Sequence, residues 1–213
     1  MKYKLVIFDF DGTIADTSPG ILDAHRFALS YMGKNIPSDS ELSTVIGGHL
    51  LDTYIHRFGF SETQAREAVR VYRERYAKVG IHKAELYPEF EEMAKKLYEK
   101  GYLIGVATLK AEKFAEIMLR ELGIRKWFNT VCGMDEHDDL DKAGLIKKCC
   151  SLCEVSEKNT ILVGDSNNDA IGARESGVDF LGVTYGFGFH KDQKYDFCTV
   201  DSVVDILGYL LNG

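Results

Sequence analysis

Short apolar runs alternate with longer, helix-like segments along most of the chain. The run Leu5-Val6-Ile7-Phe8 is short and continuous, which is typical of a buried strand. Similar runs recur after residue 86, and most of the segments between them end at or near a glycine, as helices often do. The predicted strands are Lys4–Phe8, Tyr102–Ala107, Thr160–Val163 and Phe180–Val183, and the predicted helices after residue 86 are 89–100, 112–122, 142–152, 168–176 and 202–211. Alternating strands and helices imply right-handed crossovers, so the sequence predicts an α/β fold with a doubly wound, Rossmann-like parallel sheet.

A helical stretch interrupts this pattern directly after the first strand. Two Ser-x-x-Glu/Gln capping boxes begin at Ser38 and Ser61, and the second opens a long helix that is predicted to reach about Lys78. Because no strand pattern occurs there, the stretch is interpreted as an inserted α-helical cap domain. The predicted division is an α/β catalytic core of residues 1–16 and 86–213 and a helical cap of residues 17–85.

Composition narrows the possible partners and the compartment. The formal net charge is −7, which disfavours a nucleic acid polymer or an anionic membrane as the main partner. No apolar run approaches the roughly 20 residues that a membrane-spanning helix needs, and Met1–Phe10 is too short in its apolar part for a signal peptide. The five cysteines show no framework spacing, which favours free thiols in a reducing cytosol. The sequence therefore predicts a cytoplasmic protein, and it leaves the oligomeric state open.

Reactive side chains follow the predicted strands at their carboxyl ends, where open parallel sheets bind ligands. Carboxylates of Asp9 and Asp165 could supply two oxygen ligands to Mg²⁺, which usually takes few ligands from protein. A carboxylate can also attack phosphorus if its charge is offset, and Asp11 lies close enough in sequence to donate and accept a proton. A hydroxyl at Thr108 and a positive charge at Lys142 suit phosphoryl oxygens.

These residues resemble the four signatures of the haloacid dehalogenase superfamily, in the right order and over nearly the whole chain. Asp9-Phe10-Asp11-Gly12-Thr13 looks like the first signature, Thr108 the second, Lys142 the third, and Gly164-Asp165 with Asp169 the fourth. The resemblance implies a Mg²⁺-dependent phosphatase that forms an aspartyl-phosphate intermediate. Its predicted substrate partner is a small phosphorylated metabolite. The acid at Asp11 argues against dehalogenation, because dehalogenases lack it.

The resemblance also implies a role for each acid. Asp9 is the nucleophile and a metal ligand, and Asp11 is the general acid and base, with its backbone carbonyl as a further metal ligand. Asp165 is a metal ligand, and Asp169 supports the metal shell or orients the lysine of the third signature. Lys110 is left open between a contact to the phosphate and a solvated side chain.

Finer features resemble the phosphoglycolate phosphatase and 5′-nucleotidase-like branch. Leu86-Tyr87-Pro88 and the segment 183–188 are similar to that branch, and Lys142-Ala143 is similar to its nucleotidase-like members. Gly48 and His49 lie where related caps carry a specificity loop, whereas Gly186 and Gly188 predict a turn. Two alternatives remain: a phosphomutase of the β-phosphoglucomutase type, and a non-catalytic binding protein on the same scaffold.

Overall fold

The computed structural model describes residues 2–134 and 140–212. The strands of the described residues are β1 (Leu5–Phe8), β2 (Ala15–Asp16), β3 (Glu85–Leu86), β4 (Leu103–Ala111), β5 (Thr130–Met134), β6 (Thr160–Gly164), β7 (Asp179–Val183) and β8 (Cys198–Val200). The α-helices are α1 (Ser18–Tyr31), α2 (Asp39–Ser43), α3 (Leu50–Asp52), α4 (Glu62–Lys78), α5 (Phe90–Glu99), α6 (Glu112–Glu121), α7 (Lys142–Leu152), α8 (Asn167–Ser176) and α9 (Val203–Asn212).

The main sheet of the described residues has six strands in the order β5-β4-β1-β6-β7-β8, and all of its pairs are parallel. Strand β1 lies between β4 and β6 and is fully buried, which explains why its sequence is continuously apolar rather than alternating. Phe8 pairs with Val106 on one side and with Val163 on the other. The carboxyl ends of these central strands are therefore level, and the residues that follow them meet at one edge of the sheet. The predicted α/β parallel sheet is confirmed.

Four strands of the described residues were absent from the prediction. Strand β5 is buried throughout, but its sequence Thr-Val-Cys-Gly-Met is short and carries a glycine, so the apolar pattern is weak. Strand β8 is a short, mostly exposed strand at one end of the sheet. The two-residue strands β2 and β3 pair with each other in an antiparallel ladder.

The chain divides into two compact units, residues 1–16 with 85–213 and residues 17–84. The second unit is helical, and α4 begins at the predicted capping box, in which Ser61 accepts from the backbone N–H of Gln64. Two backbone segments of this unit approach closely at Gly20, where a Cβ atom would lie 2.2 Å from the carbonyl oxygen of Gly80. No described helix has the length and apolar character needed to cross a membrane. The action of this unit as a cap stays a prediction.

A buried histidine lies in the core of the helical unit. The His25 side chain is 1% exposed, and its Nδ1 lies 3.2 Å from the hydroxyl oxygen of Tyr54. The ring also packs 4.6 Å from that of Tyr72, measured between centroids. Burial lowers the pKa of His25 to about 4, because the charged imidazolium would lose its hydration there.

Candidate active site

Lys142 lies at the first position of α7 and links two acids and a backbone carbonyl. Its Nζ atom is 2.8 Å from Asp9 Oδ1 and 2.7 Å from Asp169 Oδ1, and it donates a hydrogen bond of 2.8 Å to the carbonyl oxygen of Ala107. The stem of the lysine fits against α8 because residue 172 is a glycine, where a Cβ atom would lie 2.5 Å from Lys142 Cγ. The residue is only 5% exposed, so the ammonium is held in a fixed place.

The charges around Lys142 perturb each other strongly. Burial alone would lower the pKa of Lys142, but the nearby Asp169 and Asp9 carboxylates raise it above its usual range. Burial, together with the negative charge of Asp169, raises the pKa of Asp9 to about 6, and Lys142 opposes that rise. Lys142 therefore favours the ionised form of Asp9, the form that a nucleophilic carboxylate needs.

Three carboxylates of the described residues form a cluster that suits a divalent cation. One oxygen from each of Asp9, Asp165 and Asp169 lies within 4.8 Å of the others. Burial and the charges of Asp169 and Asp9 raise the pKa of Asp165 to about 8, because a further negative charge is disfavoured in a buried site beside two other carboxylates. Asp9 Oδ1 and Asp169 Oδ1 lie 2.8 and 2.7 Å from the ammonium of Lys142. Oxygen-rich and negatively charged, the cluster fits the ligand preference of Mg²⁺.

The loop after β7 fixes the position of Asp165, a contact that the sequence prediction of a turn missed. The backbone N–H groups of Phe187 and Gly188 donate to Asp165 Oδ2 over 2.6 and 3.3 Å. A Cβ atom at Gly186 would lie 2.3 Å from the carbonyl oxygen of Gly12 and 2.5 Å from the Asp165 side chain, so only glycine allows this approach. The signal in the sequence that could have indicated this contact was the pair of glycines, Gly186 and Gly188.

Asp169 lies in the first turn of α8 and uses its two oxygens differently. Oδ2 accepts from the backbone N–H of Ser166 at 3.0 Å and from its hydroxyl at 2.6 Å, which forms a capping box at the start of the helix. Oδ1 lies beside Lys142. Asp169 therefore caps the start of α8 with one oxygen and lies beside the ammonium of Lys142 with the other.

Asp11 and Lys110 form a second buried ion pair in the same unit. Lys110 Nζ lies 2.9 Å from Asp11 Oδ1, and the two side chains are 5% and 13% exposed. The register of β4 against β5 shifts between Ala107 and Ala111, and the backbone N–H of Lys110 donates to Thr108 Oγ1 at 3.2 Å inside this irregular segment. The sequence left two possibilities for Lys110, a contact to the phosphate or a solvated side chain. The second does not hold, because the side chain is largely shielded from water.

Gly48 and His49, the predicted specificity residues, lie in the helical unit. His49 is exposed and occupies the N-terminal cap position of the short helix α3. A Cβ atom at Gly48 would lie 3.2 Å from Thr53 Oγ1, so the space beside this glycine is limited. The role of both residues in specificity stays a prediction.

Named relatives cover most of the chain. A 5′-nucleotidase of Pseudomonas aeruginosa is 31% identical over 195 residues, which are 91% of this chain and 88% of that protein. A phosphoglycolate phosphatase of Psychrobacter arcticus is 29% identical over 203 residues, which cover 90% and 88% of the two chains. The tyrosine-protein kinase PtkA of Mycobacterium tuberculosis is 31% identical over 186 residues, and the match covers 87% of this chain but 63% of the kinase.

A solved structure matches over the full length of both chains. The crystal structure of a predicted phosphatase from Clostridium acetobutylicum has a TM-score of 0.92 and 25% sequence identity to this chain. The family model described as haloacid dehalogenase-like hydrolase matches residues 6–183. Together with the phosphatase names of the relatives, this match confirms the predicted enzyme class, a hydrolase of phosphoric monoesters. The chain belongs to the haloacid dehalogenase-like hydrolase family.

Proposed function

We propose that the protein hydrolyses small phosphomonoesters with Mg²⁺ and forms an aspartyl-phosphate intermediate, an acyl phosphate, on Asp9. The observation that carries the proposal is the arrangement around Asp9. Its Oδ1 is held by Lys142 at 2.8 Å, and a carboxylate oxygen of Asp9 lies within 4.8 Å of one from Asp165 and one from Asp169. A nucleophilic carboxylate needs a fixed orientation and a nearby positive charge, and this arrangement provides both.

The reaction takes place in two chemical steps. An oxygen of Asp9 attacks phosphorus, and the bond from phosphorus to the leaving oxygen breaks. Asp11, two residues further on, gives its proton to the leaving oxygen and becomes a carboxylate. Asp11 then takes a proton from water as that water attacks the phosphorus, and Asp9 is released together with inorganic phosphate.

Positive charge near the phosphoryl group comes from two sources. When bound, Mg²⁺ at Asp9, Asp165 and the backbone carbonyl of Asp11 would neutralise charge on the phosphoryl oxygens. Lys142 adds a fixed ammonium beside the oxygen of the nucleophile. Thr108 is 1% exposed at the end of the regular part of β4, and its hydroxyl is the proposed hydrogen-bond donor to the phosphate.

The proposed substrates are those that the relatives' names suggest, a nucleoside monophosphate or phosphoglycolate. The phosphate chemistry of the α/β unit is the same for both, so discrimination depends on residues that meet the leaving group. We assign that role to Gly48 and His49 of the helical unit, as the sequence resemblance implies.

A turnover screen tests the proposal directly. Purified protein is assayed for phosphate release from nucleoside monophosphates, phosphoglycolate and sugar phosphates, with Mg²⁺, with Ca²⁺ and with excess chelator. Expected results are turnover with Mg²⁺, weak turnover with Ca²⁺ because its shell is larger and more flexible, and none with chelator or in Asp9→Asn. Full activity in chelator or in Asp9→Asn would overturn the mechanism. Isomerisation of a sugar phosphate without phosphate release would favour the phosphomutase alternative, and absence of both reactions from a folded protein would favour a binding protein.

A further inference from the structure

The buried pair of Asp11 and Lys110 poses a question that the phosphatase chemistry alone does not answer. A lysine at the carboxyl ends of the strands can bind the phosphate directly or can act on another protein group. In the structure its ammonium lies 2.9 Å from the carboxylate of Asp11, and both side chains are largely shielded from water. An ion pair shielded in this way holds its partners more tightly than an exposed pair does.

The backbone around Lys110 is irregular. The register shift in β4 begins after Ala107, so residues 108–110 depart from the regular ladder with β5. The hydrogen bond from the Lys110 N–H to Thr108 Oγ1 closes this irregular segment. Lys110 Nζ also lies 5.8 Å from the ring centroid of Phe10, the neighbour of Asp11 in sequence. The ammonium thus lies near two consecutive residues of the segment that follows β1.

A second lysine–carboxylate pair in the same unit provides a comparison. Lys148 Nζ lies 3.0 Å from Glu112 Oε2, nearly the same separation, but both side chains are 41% exposed. Glu112 Oε2 also accepts from the backbone N–H of Gly133 at 3.2 Å, so this pair braces the start of α6 against β5. It includes none of the acids proposed for catalysis, and it is therefore a matched control for the loss of a lysine–carboxylate contact.

We infer that Lys110 is a positioning residue that acts through Asp11 rather than a primary ligand of the phosphate. The inference rests on the proposed function. The ammonium fixes the Asp11 carboxyl group in the place from which it reaches the leaving oxygen. The ammonium also lies where it balances the charge of the Asp11 carboxylate. The same contact holds Asp11 in place while it takes a proton from the attacking water.

Lys110→Met and Lys110→Arg, each made in the wild type and in Asp11→Asn, test the inference. The substrates are an alkyl phosphate, whose leaving oxygen needs a proton, and an aryl phosphate, whose leaving oxygen needs it less. Lys110→Met should lower kcat on the alkyl phosphate by about 10–100-fold, less on the aryl phosphate, and change KM little, because a misplaced acid loses much of its general-acid effect. Lys110→Arg should recover part of this loss, since it keeps the charge.

The Asp11→Asn background distinguishes a lysine that positions Asp11 from a lysine that binds the phosphate. If Lys110 acts through Asp11, adding Lys110→Met to Asp11→Asn should change turnover by no more than ~2-fold, because the two changes remove the same effect. A Lys110→Met variant that raises KM and the inhibition constant of inorganic phosphate equally in both backgrounds would identify a phosphate ligand and overturn the inference. Effects no larger than those of Lys148→Met would also overturn it.

The proposed function and this inference can fail separately. Turnover by the wild type and its loss in Asp9→Asn test the proposed function, whereas the comparison of Lys110→Met with and without Asp11→Asn tests the positioning role. Unfolding measurements on each variant show that it is folded under the assay conditions. A lysine that only stabilised the fold would lower the unfolding midpoint without changing the ratio of alkyl to aryl turnover.

Discussion

Removing the buried ammonium of Lys142 should destabilise the protein strongly. The change Lys142→Met keeps most of the side-chain volume but leaves Asp9 and Asp169 without the positive charge that now lies 2.8 and 2.7 Å away. At an effective dielectric constant near 20, each contact corresponds to roughly 6 kcal/mol of attraction. Burying the lysine offsets much of the combined roughly 12 kcal/mol, and breaking a buried pair by removing one partner typically costs about 3–5 kcal/mol. We therefore expect the free energy of unfolding to fall by about 3–5 kcal/mol.

Urea denaturation, with Mg²⁺ removed by chelator, measures this change. Lys147→Met is the matched control, because Lys147 is an exposed lysine on the same helix and should lose no more than ~0.5 kcal/mol. Adding Asp9→Asn to Lys142→Met removes one of the unbalanced charges and should recover about 1–3 kcal/mol. Equal stability of Lys142→Met and Lys147→Met, or no recovery in the double variant, would refute the reasoning from buried charge.

Three further predictions concern pH, metal and specificity. The folded-state pKa of His25 is lowered from 6.5 to about 4, so its contribution to stability is complete above about pH 6.5 and is lost as the pH falls towards 4. This loss amounts to roughly 3 kcal/mol in urea denaturation, and its persistence in His25→Asn would contradict the assignment. The pKa of Asp165 is raised to about 8, so protons compete with a cation, and the increase in melting temperature caused by Mg²⁺ should grow between about pH 6 and pH 9. A pH-independent increase would argue against Asp165 as a ligand. His49→Ala should change the ratio of kcat/KM for phosphoglycolate and a nucleoside monophosphate more than it lowers the better of the two, and a constant ratio would remove His49 from specificity.

The positions of Asp9 and Asp165 in the sheet could be predicted from the sequence, because parallel pairing brings the residues that follow neighbouring strands to the same edge. Asp9 and Asp165 each come directly after an apolar run, and the register that pairs Phe8 with Val163 brings the ends of those runs level. The position of Lys142 at the start of a helix could also be predicted, since the sequence after it predicts a helix over residues 142–152. For these residues, the local pattern and the topology rule agree.

Three other features of the structure could not be predicted from the types of the residues involved. The N–H groups that hold Asp165 belong to the backbone of Phe187 and Gly188, and any non-proline residue carries such a group. The burial of Lys110 depends on an irregular segment of β4, whereas a lysine in sequence is most often exposed. Strand β5 was missed because its five residues do not form a clear apolar run.

The most direct test of the central claim is to trap the phosphoryl group on the chain. Protein mixed rapidly with substrate and Mg²⁺ is treated with borohydride, which reduces an aspartyl phosphate to homoserine, and the peptides are read by mass spectrometry. The expected result is homoserine at Asp9, in proportion to the phosphoenzyme present, and none in Asp9→Asn. Homoserine at Asp11, Asp165 or Asp169 in place of Asp9 would contradict the assignment of Asp9 as the nucleophile.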